Sequence, residues 1–557
     1  MSVPIDRSFW FVAAATTLLI NALLVVPEWW MPYSAFAAPL IAAETLLLMG
    51  LVGLMGLMPA AIGRLIAAFF AVAVLLALGL ALSDLGTAWA LGRPMNLAID
   101  LPLAQSVVHL LSGAIGKPLA WLVLSVAGMA VILLWLGIFC AFQSLSLRSN
   151  SLAKKGVAVL SIILGLVLWQ QRDAALMDES VDTPMHIRLS DQVERVQRTL
   201  IEREAFAQAL VAPSTESLAN FSRLDGRDVV MAFVESYGVS FLHDPRYQAV
   251  AAKTQQAMAS ALDQAGLAVV TASLRSPVQG GQSWLAHASA LSGHWIDNQI
   301  RYDLFLSAGS SSLMTDFKNA GYQTAAIMPA ITEPWPAGTQ WGYDQIHDYA
   351  AIDYAGPALN WVTMPDQYTW HYFAQQVRAT TRAPLFAELA LISSHAPWTP
   401  ILPRLNWDAL SDGRLFLPWA EVGPSPAVLW SNQADIQRFY ARAIDYALQT
   451  AAEWAARDLD DGILVLLGDH QAAPLITGNT ASRAVPVHII SADKNLLSDF
   501  TAHGFEFGLS APTDSTGSLA DLRGYMLRVL DVSHLNSASA TALGDPAMAP
   551  SIKPRQE

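Results

Sequence analysis

Cysteine is almost missing from this chain of 557 residues: Cys140 stands alone inside an apolar run, so no intrachain disulfide can brace the fold. Charge is scarce as well. Only 14% of the residues are charged against 53% hydrophobic, a balance too apolar for a purely soluble protein. Basic residues are short where a nucleic-acid surface would need them. Residues 173–557 hold 24 Lys/Arg against 41 Asp/Glu, a net −17, which argues against a phosphate-backbone partner. Residues 1–172 hold 8 against 5, a net +3, so the chain is made of two different materials.

What the first part has in abundance is long apolar runs. A helix needs about 20 mostly apolar residues to cross the hydrocarbon core. Five stretches qualify: Phe9–Val26, Ala35–Met58, Ala61–Leu82, Pro118–Phe142 and Gly156–Trp169. The first is expected to stay as an anchor, because no A-x-A-like cleavage site follows it and Trp29, Trp30 and Tyr33 read as an interfacial aromatic belt. The loop "QSLSLRSNSLAKK" carries Arg148, Lys154 and Lys155 and no acid, which assigns it to the cytoplasmic side. Five passes then put residue 173 onward outside the cytoplasm. Between the third and fourth runs, "NLAIDLPLAQSVVHLLSGAIGK" is broken by Asp100, Pro102, His109 and Gly113 and reads as an interfacial helix. Glu44 is the one acid within a predicted span, either functional or turned toward the bundle and headgroups. Residues 173–227 read as a juxtamembrane helical linker, and 541–557 as a disordered tail.

Beyond Arg227 the pattern changes to strand-like apolar runs, "DVVMAFVE", "GYQTAAIMP", "APLFAELALIS", "GILVLLGD" and "AVPVHIIS", with helical stretches between them. Continuous apolar strands alternating with helices predict an α/β domain over 228–540, with helices on both faces of its sheet. Ligands of such sheets gather at the carboxyl ends of the strands. Three of the runs end in suitable groups: Glu235, His395, and Asp469 with His470. Two carboxylates and an imidazole offer the oxygen and nitrogen ligands that suit Zn²⁺ or Mn²⁺, although each could separately serve a loop. A nucleophile is offered by Ser283 in "SPVQGGQSWLAHASALSG", at a glycine-loop-to-helix junction. There it could face an anion held by free backbone N–H groups or simply cap the helix.

The series "FVESYG", "GGQSWLAHASALSG", "SSHAPW" and "LGDHQ" resembles, in order and spacing, the motifs of the sulfatase-like branch of the alkaline phosphatase superfamily that contains lipoteichoic acid synthase and the membrane phosphoglycerol transferases. The resemblance covers essentially the whole chain. It implies a mixed, mainly parallel sheet and one divalent ion, manganese or else zinc or magnesium, on Glu235, Ser283, Asp469 and His470. It also implies Ser283 as nucleophile and His395 and Trp335 as substrate contacts. The partners implied are a phospholipid headgroup donor in the membrane and a hydroxyl of a glycan or polymer as acceptor. The expected activity is transfer of a phosphoglycerol-type group at the outer face of the cell membrane. The alternatives are a phosphodiesterase or phosphatase of the same fold, or an inactive anchored regulator. Neither Cys140 nor Ser283 lies in the C/S-x-P-x-R context of sulfatases, and one cysteine cannot build the disulfide-rich outer domain usual in phosphoethanolamine transferases. In "EPWPAGTQWGYD", Ala337 stands where the family's phosphoglycerol-binding Arg is expected. Asp366 and Gln367 in "MPDQYTW" begin a predicted helix.

Overall fold

The computed structural model describes residues 7–31, 39–147, 151–171, 180–211, 220–479 and 481–531. Tyr33, Arg148 and the expected tail at 541–557 lie outside them. The chain divides into two units, Met1–Ala205 and Phe206–Glu557.

In the first unit, four helices are long and apolar enough to cross a membrane: Arg7–Trp30, Ala60–Leu91, Lys117–Ser146 and Leu152–Gln171. The second expected run, Ala35–Met58, is the exception. Its described part is helical only over Ala43–Leu54, with a 3₁₀ turn to Leu57. Fifteen residues rise about 22 Å as a helix, short of the ~30 Å hydrocarbon core. The helix starts late because Ile41–Ala42 (β1) pairs in parallel with Val181–Asp182 (β2). Asn21 secures that extended backbone by bonding the Leu40 carbonyl at 2.8 Å and the Ala42 amide at 2.9 Å. This short helix packs closely on Leu152–Gln171 through small residues. A Cβ on Gly50 would lie 2.5 Å from Ile162, and one on Gly165 would lie 2.8 Å from Leu47. The third run extends past its expected end to Leu91, where Gly92 adopts the left-handed conformation that closes the helix. The segment expected to be interfacial forms the helices Leu97–Asp100 and Ala104–Ile115, each too short to span.

The helix Pro184–Val211 begins inside the first unit, and its early turns are tied to helix ends there. Arg188 pairs with Glu28, Arg195 lies 3.8 Å from Asp84, and the Gln192 side chain accepts from the Leu97 amide. Glu44 is buried and accepts from the His186 amide at 3.0 Å, so it is turned inward onto protein backbone.

The second unit is built on a nine-stranded sheet: β3 (Val229–Val234), β4 (Ala268–Arg275), β5 (Gln323–Met328), β6 (Gln345–Asp348), β7 (Leu385–Leu391), β8 (Ile463–Gly468), β9 (Ala484–Ser491), β10 (Glu506–Phe507) and β11 (Gly517–Ser518). The order is β10-β4-β9-β8-β3-β7-β5-β6, with β11 beside β4. Strands β8, β3, β7, β5 and β6 are parallel neighbours, while β9 runs antiparallel to β8 and β4. The apolar runs are continuous because both faces are covered. Val230, Ala232 and Val234 face one core, and Val229, Met231 and Phe233 face the other.

The register places the chemistry. Val234 lies opposite Leu391 of β7 on one side and opposite Gly468 of β8 on the other. The next residue out on each strand is therefore Glu235, Ile392 and Asp469, level with one another at the carboxyl edge of the sheet. The helix Ser283–Ser292 lies over the same face of β3 as Phe233: His287 stacks on the Phe233 ring with centroids 3.7 Å apart.

Candidate active site

At the end of β3 the chain turns sharply through Ser236, whose φ of +60° is unusual for a residue with a side chain. The turn aims the Ser236 amide at Asp469 Oδ1 (2.8 Å), and the Ser236 hydroxyl donates to Glu235 Oε1 (2.8 Å). Asp469 Oδ1 also accepts from the His470 amide at 2.6 Å. Asp469 is thus fixed by backbone amides, and Glu235 by side-chain hydroxyls. Two residues on from Ser236, Gly238 leaves room for the buried Gln471 side chain, which a Cβ there would have to displace, its nearest atom being 1.8 Å away.

Ser283 is brought to this edge by the loop after β4. The loop is pinned to the β8 end by Ser276 Oγ on the Asp469 carbonyl (2.6 Å) and by the Gly280 amide on the Gln471 carbonyl (2.9 Å). Gly280 (φ +73°) and Gly281 (φ +149°) turn the backbone, and Gln282 (φ +65°) occupies the cap position. Ser283 is the first helical residue, so capping does not explain it. Its hydroxyl donates to Glu235 Oε2 at 3.0 Å and lies 3.3 Å from His470 Nε2.

Glu235, Asp469 and His470 each offer a ligand atom, all within 4.8 Å of one another. His470 Nε2 is 3.3 Å from Glu235 Oε1 and 3.6 Å from Asp469 Oδ2. Its Nδ1 lies 2.8 Å from the Gln471 carbonyl and donates to it, so the Nε2 lone pair of the neutral ring faces the carboxylates and Ser283. Two clustered carboxylates need a positive charge between them. Burial alone would raise Glu235, but His470 beside it, with His395 and Ser236, holds it well below the usual carboxylate range. Burial and the Glu235 charge push Asp469 up to about 6. His470 is pushed up to about 9, the two carboxylates outweighing its burial. A proton on His470 or a divalent cation meets the same demand, and the O, O, N and hydroxyl donor set suits the cation.

His395 stands exposed on the loop after β7, near enough to lower the Glu235 pKa. Its Nδ1 is 2.6 Å from the Ala396 carbonyl. The loop is clamped from beneath by Asp366. This fully buried carboxylate begins the helix Asp366–Tyr372, and its Oδ1 accepts from the Ile392 and Ser393 amides at 2.7 and 2.8 Å. Burial pushes Asp366 up to about 7. Asp366 therefore does more than start a helix, while Gln367 fastens the chain at Leu405. Trp335 is half-buried against Gly338 and the Tyr343 ring, and the Tyr343 hydroxyl donates to Glu388; none of these contacts joins Trp335 to Glu235, Ser283, Asp469 or His470. Ala337 is packed in the same core.

Sequence reasoning passed over His287 and Glu388. His287 Nδ1 is 2.7 Å from Glu388 Oε1. It stands four residues after Ser283, so both project from one helix face, Ser283 over Glu235 and His287 over Phe233. The signal was present: a single Glu in the middle of the apolar strand "LFAELAL", and a His one turn beyond the candidate nucleophile.

No family model and no curated protein matches the chain. Solved sulfatase-like proteins do. The lipoteichoic acid synthase LtaP from Listeria monocytogenes is 12% identical with a TM-score of 0.36, covering 59% of this chain and 77% of that one. The C-terminal periplasmic domain of EcEptC from Escherichia coli, in complex with Zn, is 19% identical with a TM-score of 0.36, covering 53% and 80%. An alkaline phosphatase superfamily protein from Vibrio parahaemolyticus is 14% identical with a TM-score of 0.37, covering 60% and 75%. At such scores the likeness decides nothing about activity, which has to be read from the site's own side chains.

Proposed function

We propose that this chain is a membrane-anchored, metal-dependent transferase. It would move a phosphoglycerol-type group from a phospholipid to a hydroxyl of a glycan or polymer through a phospho-serine intermediate. The observation that carries the reading is the Ser283 hydroxyl: it sits at a helix start, yet its partners are Glu235 and His470. Glu235, Ser283, Asp469 and His470 would hold one divalent ion, manganese or alternatively zinc or magnesium, whose charge favours the serine alkoxide and the charge developing on the phosphoryl oxygens. Ser283 Oγ, oriented by its hydrogen bond to Glu235 Oε2 at 3.0 Å, attacks phosphorus as its proton is released to water. The Ser283 Oγ–P bond forms as the bond from phosphorus to the diacylglycerol oxygen breaks, and that oxygen takes up a proton. An acceptor hydroxyl then attacks the same phosphorus and returns the serine. Water in its place makes the reaction a hydrolysis. His395, exposed at the mouth, and Trp335 would hold the departing and arriving substrate.

Four long apolar helices support a membrane protein, and the contacts within the first unit support a fifth crossing by Ala43–Leu57. Trp89 Nε1 bonds the Trp30 carbonyl, so the ends of the first and third spans lie together and the segment between them has to return across the bundle. The ammonium of Lys154, on the predicted cytoplasmic loop, lies over the Phe9 ring at 4.0 Å, bringing the beginnings of the first and last spans together. In this reading 1–172 is the membrane part, 173–227 the linker, 228–540 the extracytoplasmic catalytic domain and 541–557 a tail.

The test is mass spectrometry of the full chain trapped with a slow phosphodiester, in the presence of Mn²⁺. A phosphoryl or glycerophosphoryl adduct is expected on the Ser283 peptide and is lost in Ser283→Ala. An adduct elsewhere, or full turnover in Ser283→Ala, removes the covalent mechanism.

A further inference from the structure

Exposed apolar side chains of the catalytic unit are concentrated at the mouth of the site. Among the described residues from 220 onward, the large hydrophobics left exposed are Trp284, Tyr349, Trp361, Leu415, Leu417, Val422, Val428, Trp430 and Phe507. Trp284 adjoins Ser283, and Trp361, Val422 and Trp430 sit on segments fastened to the loop that follows His395. Asn360, in the tight turn closed by Leu359 and Val362, bonds the Thr399 carbonyl at 2.6 Å and leaves Trp361 outward, 37% exposed. The Thr399 hydroxyl bonds the Pro424 carbonyl at 2.7 Å, holding the segment that carries Val422. Trp430 stacks on buried Trp398, with ring centroids 5.6 Å apart and planes 1° from parallel, and is 44% exposed. Trp398 itself bonds the Ser394 carbonyl at 2.7 Å.

Two stretches of chain, 359–362 and 422–430, are thus pinned to residues 398–399 with apolar groups facing outward. Beneath them a small pocket beside His395 is lined by Leu359, Val362, Trp398, Ile401 and Leu402 together with the polar groups of Ser393, Thr399 and Tyr446. Charge is sparse on these segments. Residues 355–363 and 396–403 hold no ionisable side chain, and 415–430 hold only Glu421. Concentrated apolar exposure of this kind marks a docking surface. Indoles beside aliphatic side chains suit the water–lipid boundary, where the ring is buried and the N–H stays wet.

We infer that the rim formed by Trp361, Leu417, Val422, Val428 and Trp430 is a lipid-docking surface that dips into the bilayer interface and presents a phospholipid to the pocket beside His395. The inference rests on the membrane-anchored reading above and adds how a lipid substrate would reach Ser283. The occupant is a lipid surface because the chain itself carries spans, which keep a bilayer within reach. With almost no basic residue on the rim, insertion is driven by apolar burial, so it is indifferent to the charge of the lipid headgroup.

The test uses the full chain with Cys140→Ser, reconstituted in phosphatidylcholine vesicles with and without phosphatidylglycerol. A nitroxide is placed on Leu417→Cys or Val428→Cys, and on Lys494→Cys as the reference. Lys494 follows β9, at the end of the sheet opposite Ser283. The readout is accessibility to oxygen relative to a water-soluble nickel complex. At 417 and 428 the ratio is expected to shift toward the lipid value equally in both vesicle types, and at 494 to stay aqueous. Aqueous values at both 417 and 428 overturn the inference, including the case where a partner protein covers the rim. A shift that requires phosphatidylglycerol overturns the apolar mechanism. The labels report independently of catalysis: aqueous labels with an intact Ser283 adduct remove the docking surface alone, and lipid-exposed labels without the adduct remove the transferase reading alone.

Discussion

Ser236, Asp366 and His488 show how single side chains set up this fold. His488 is buried in β9. The Thr271 hydroxyl donates to the Gly508 carbonyl and so accepts from His488 Nδ1 at 2.8 Å, while the Tyr237 hydroxyl donates to Nε2 at 3.0 Å. The neutral ring is fully satisfied, and burial holds its pKa down at about 4 against an ordinary 6.5. A histidine with a depressed folded pKa contributes stability that is complete above 6.5 and lost as pH falls toward 4. That loss amounts to about 3 kcal/mol at pH 4. The stability of the second unit in the full chain is therefore expected to fall between pH 6.5 and 4, and His488→Gln to flatten the part of that slope that belongs to this residue. An unchanged slope would show that His488 is not neutral in the folded chain. Asp469→Ala, which removes one of the three clustered ligands, is expected to lower affinity for the divalent ion by more than ~100-fold, beyond the losses typical of indirect partners. Metal analysis of the purified variant, with its near-ultraviolet circular dichroism, separates ligand loss from misfolding. For Asp366→Ala the expectation is a fall in turnover with the metal retained, because His395 loses the clamp under its loop; Asp366→Asn keeps an acceptor oxygen and is expected to recover part of it.

Strand ends carry the site, so the closest packing there is the most sensitive. Gly468, the last residue of β8, has no room for a side chain: its Cβ would lie 1.8 Å from the Tyr237 carbonyl oxygen. Both are backbone-anchored, so neither gives way easily. Gly468→Ala is expected to cost roughly 1–3 kcal/mol of stability and to displace Asp469, weakening metal binding as well. Calorimetry and metal titration on the same preparation check both halves of that expectation. A normal midpoint with normal metal content would mean that the β3 turn moves aside freely. In the first unit glycines serve another purpose: Gly50, Gly53 and Gly165 let two apolar helices approach, with the Ile162 side chain seated at Gly50 and the Leu47 side chain at Gly165.

For the whole molecule the decisive question is which side of the membrane the second unit occupies. A reporter active only in the cytoplasm, fused after Arg227, is expected to be silent, and the same reporter in the 148–155 loop active. A strong signal after Arg227 would mean an even number of crossings and would remove Ala43–Leu57 from the membrane. The net −17 of residues 173–557 fits an extracytoplasmic domain no better than a cytoplasmic one. The basic residues between the last two spans carry this assignment.

Much of this was legible before any fold was known. Apolar run length decides membrane-spanning capacity, and runs bounded by turns decide an α/β domain, because burial of both sheet faces imposes continuous hydrophobicity on each strand. Glu235, Asp469 and His470 were recognisable because a charged group directly after such a run marks a carboxyl edge. What the sequence could not decide depended on distance. By position alone Ser283 read first as an N-cap, and its contact with Glu235, 48 residues away in the chain yet 3.0 Å away in space, was invisible. His287 with Glu388 and the Asp366 clamp were hidden for the same reason, since each pairs groups from different elements. The second apolar run is helical over a shorter stretch than its hydropathy suggests, because hydropathy does not register that the β1–β2 pairing holds Ile41 and Ala42 extended. Local pattern is written in the order of residues, whereas convergence on one point is set by strand register and the packing of helices over the sheet.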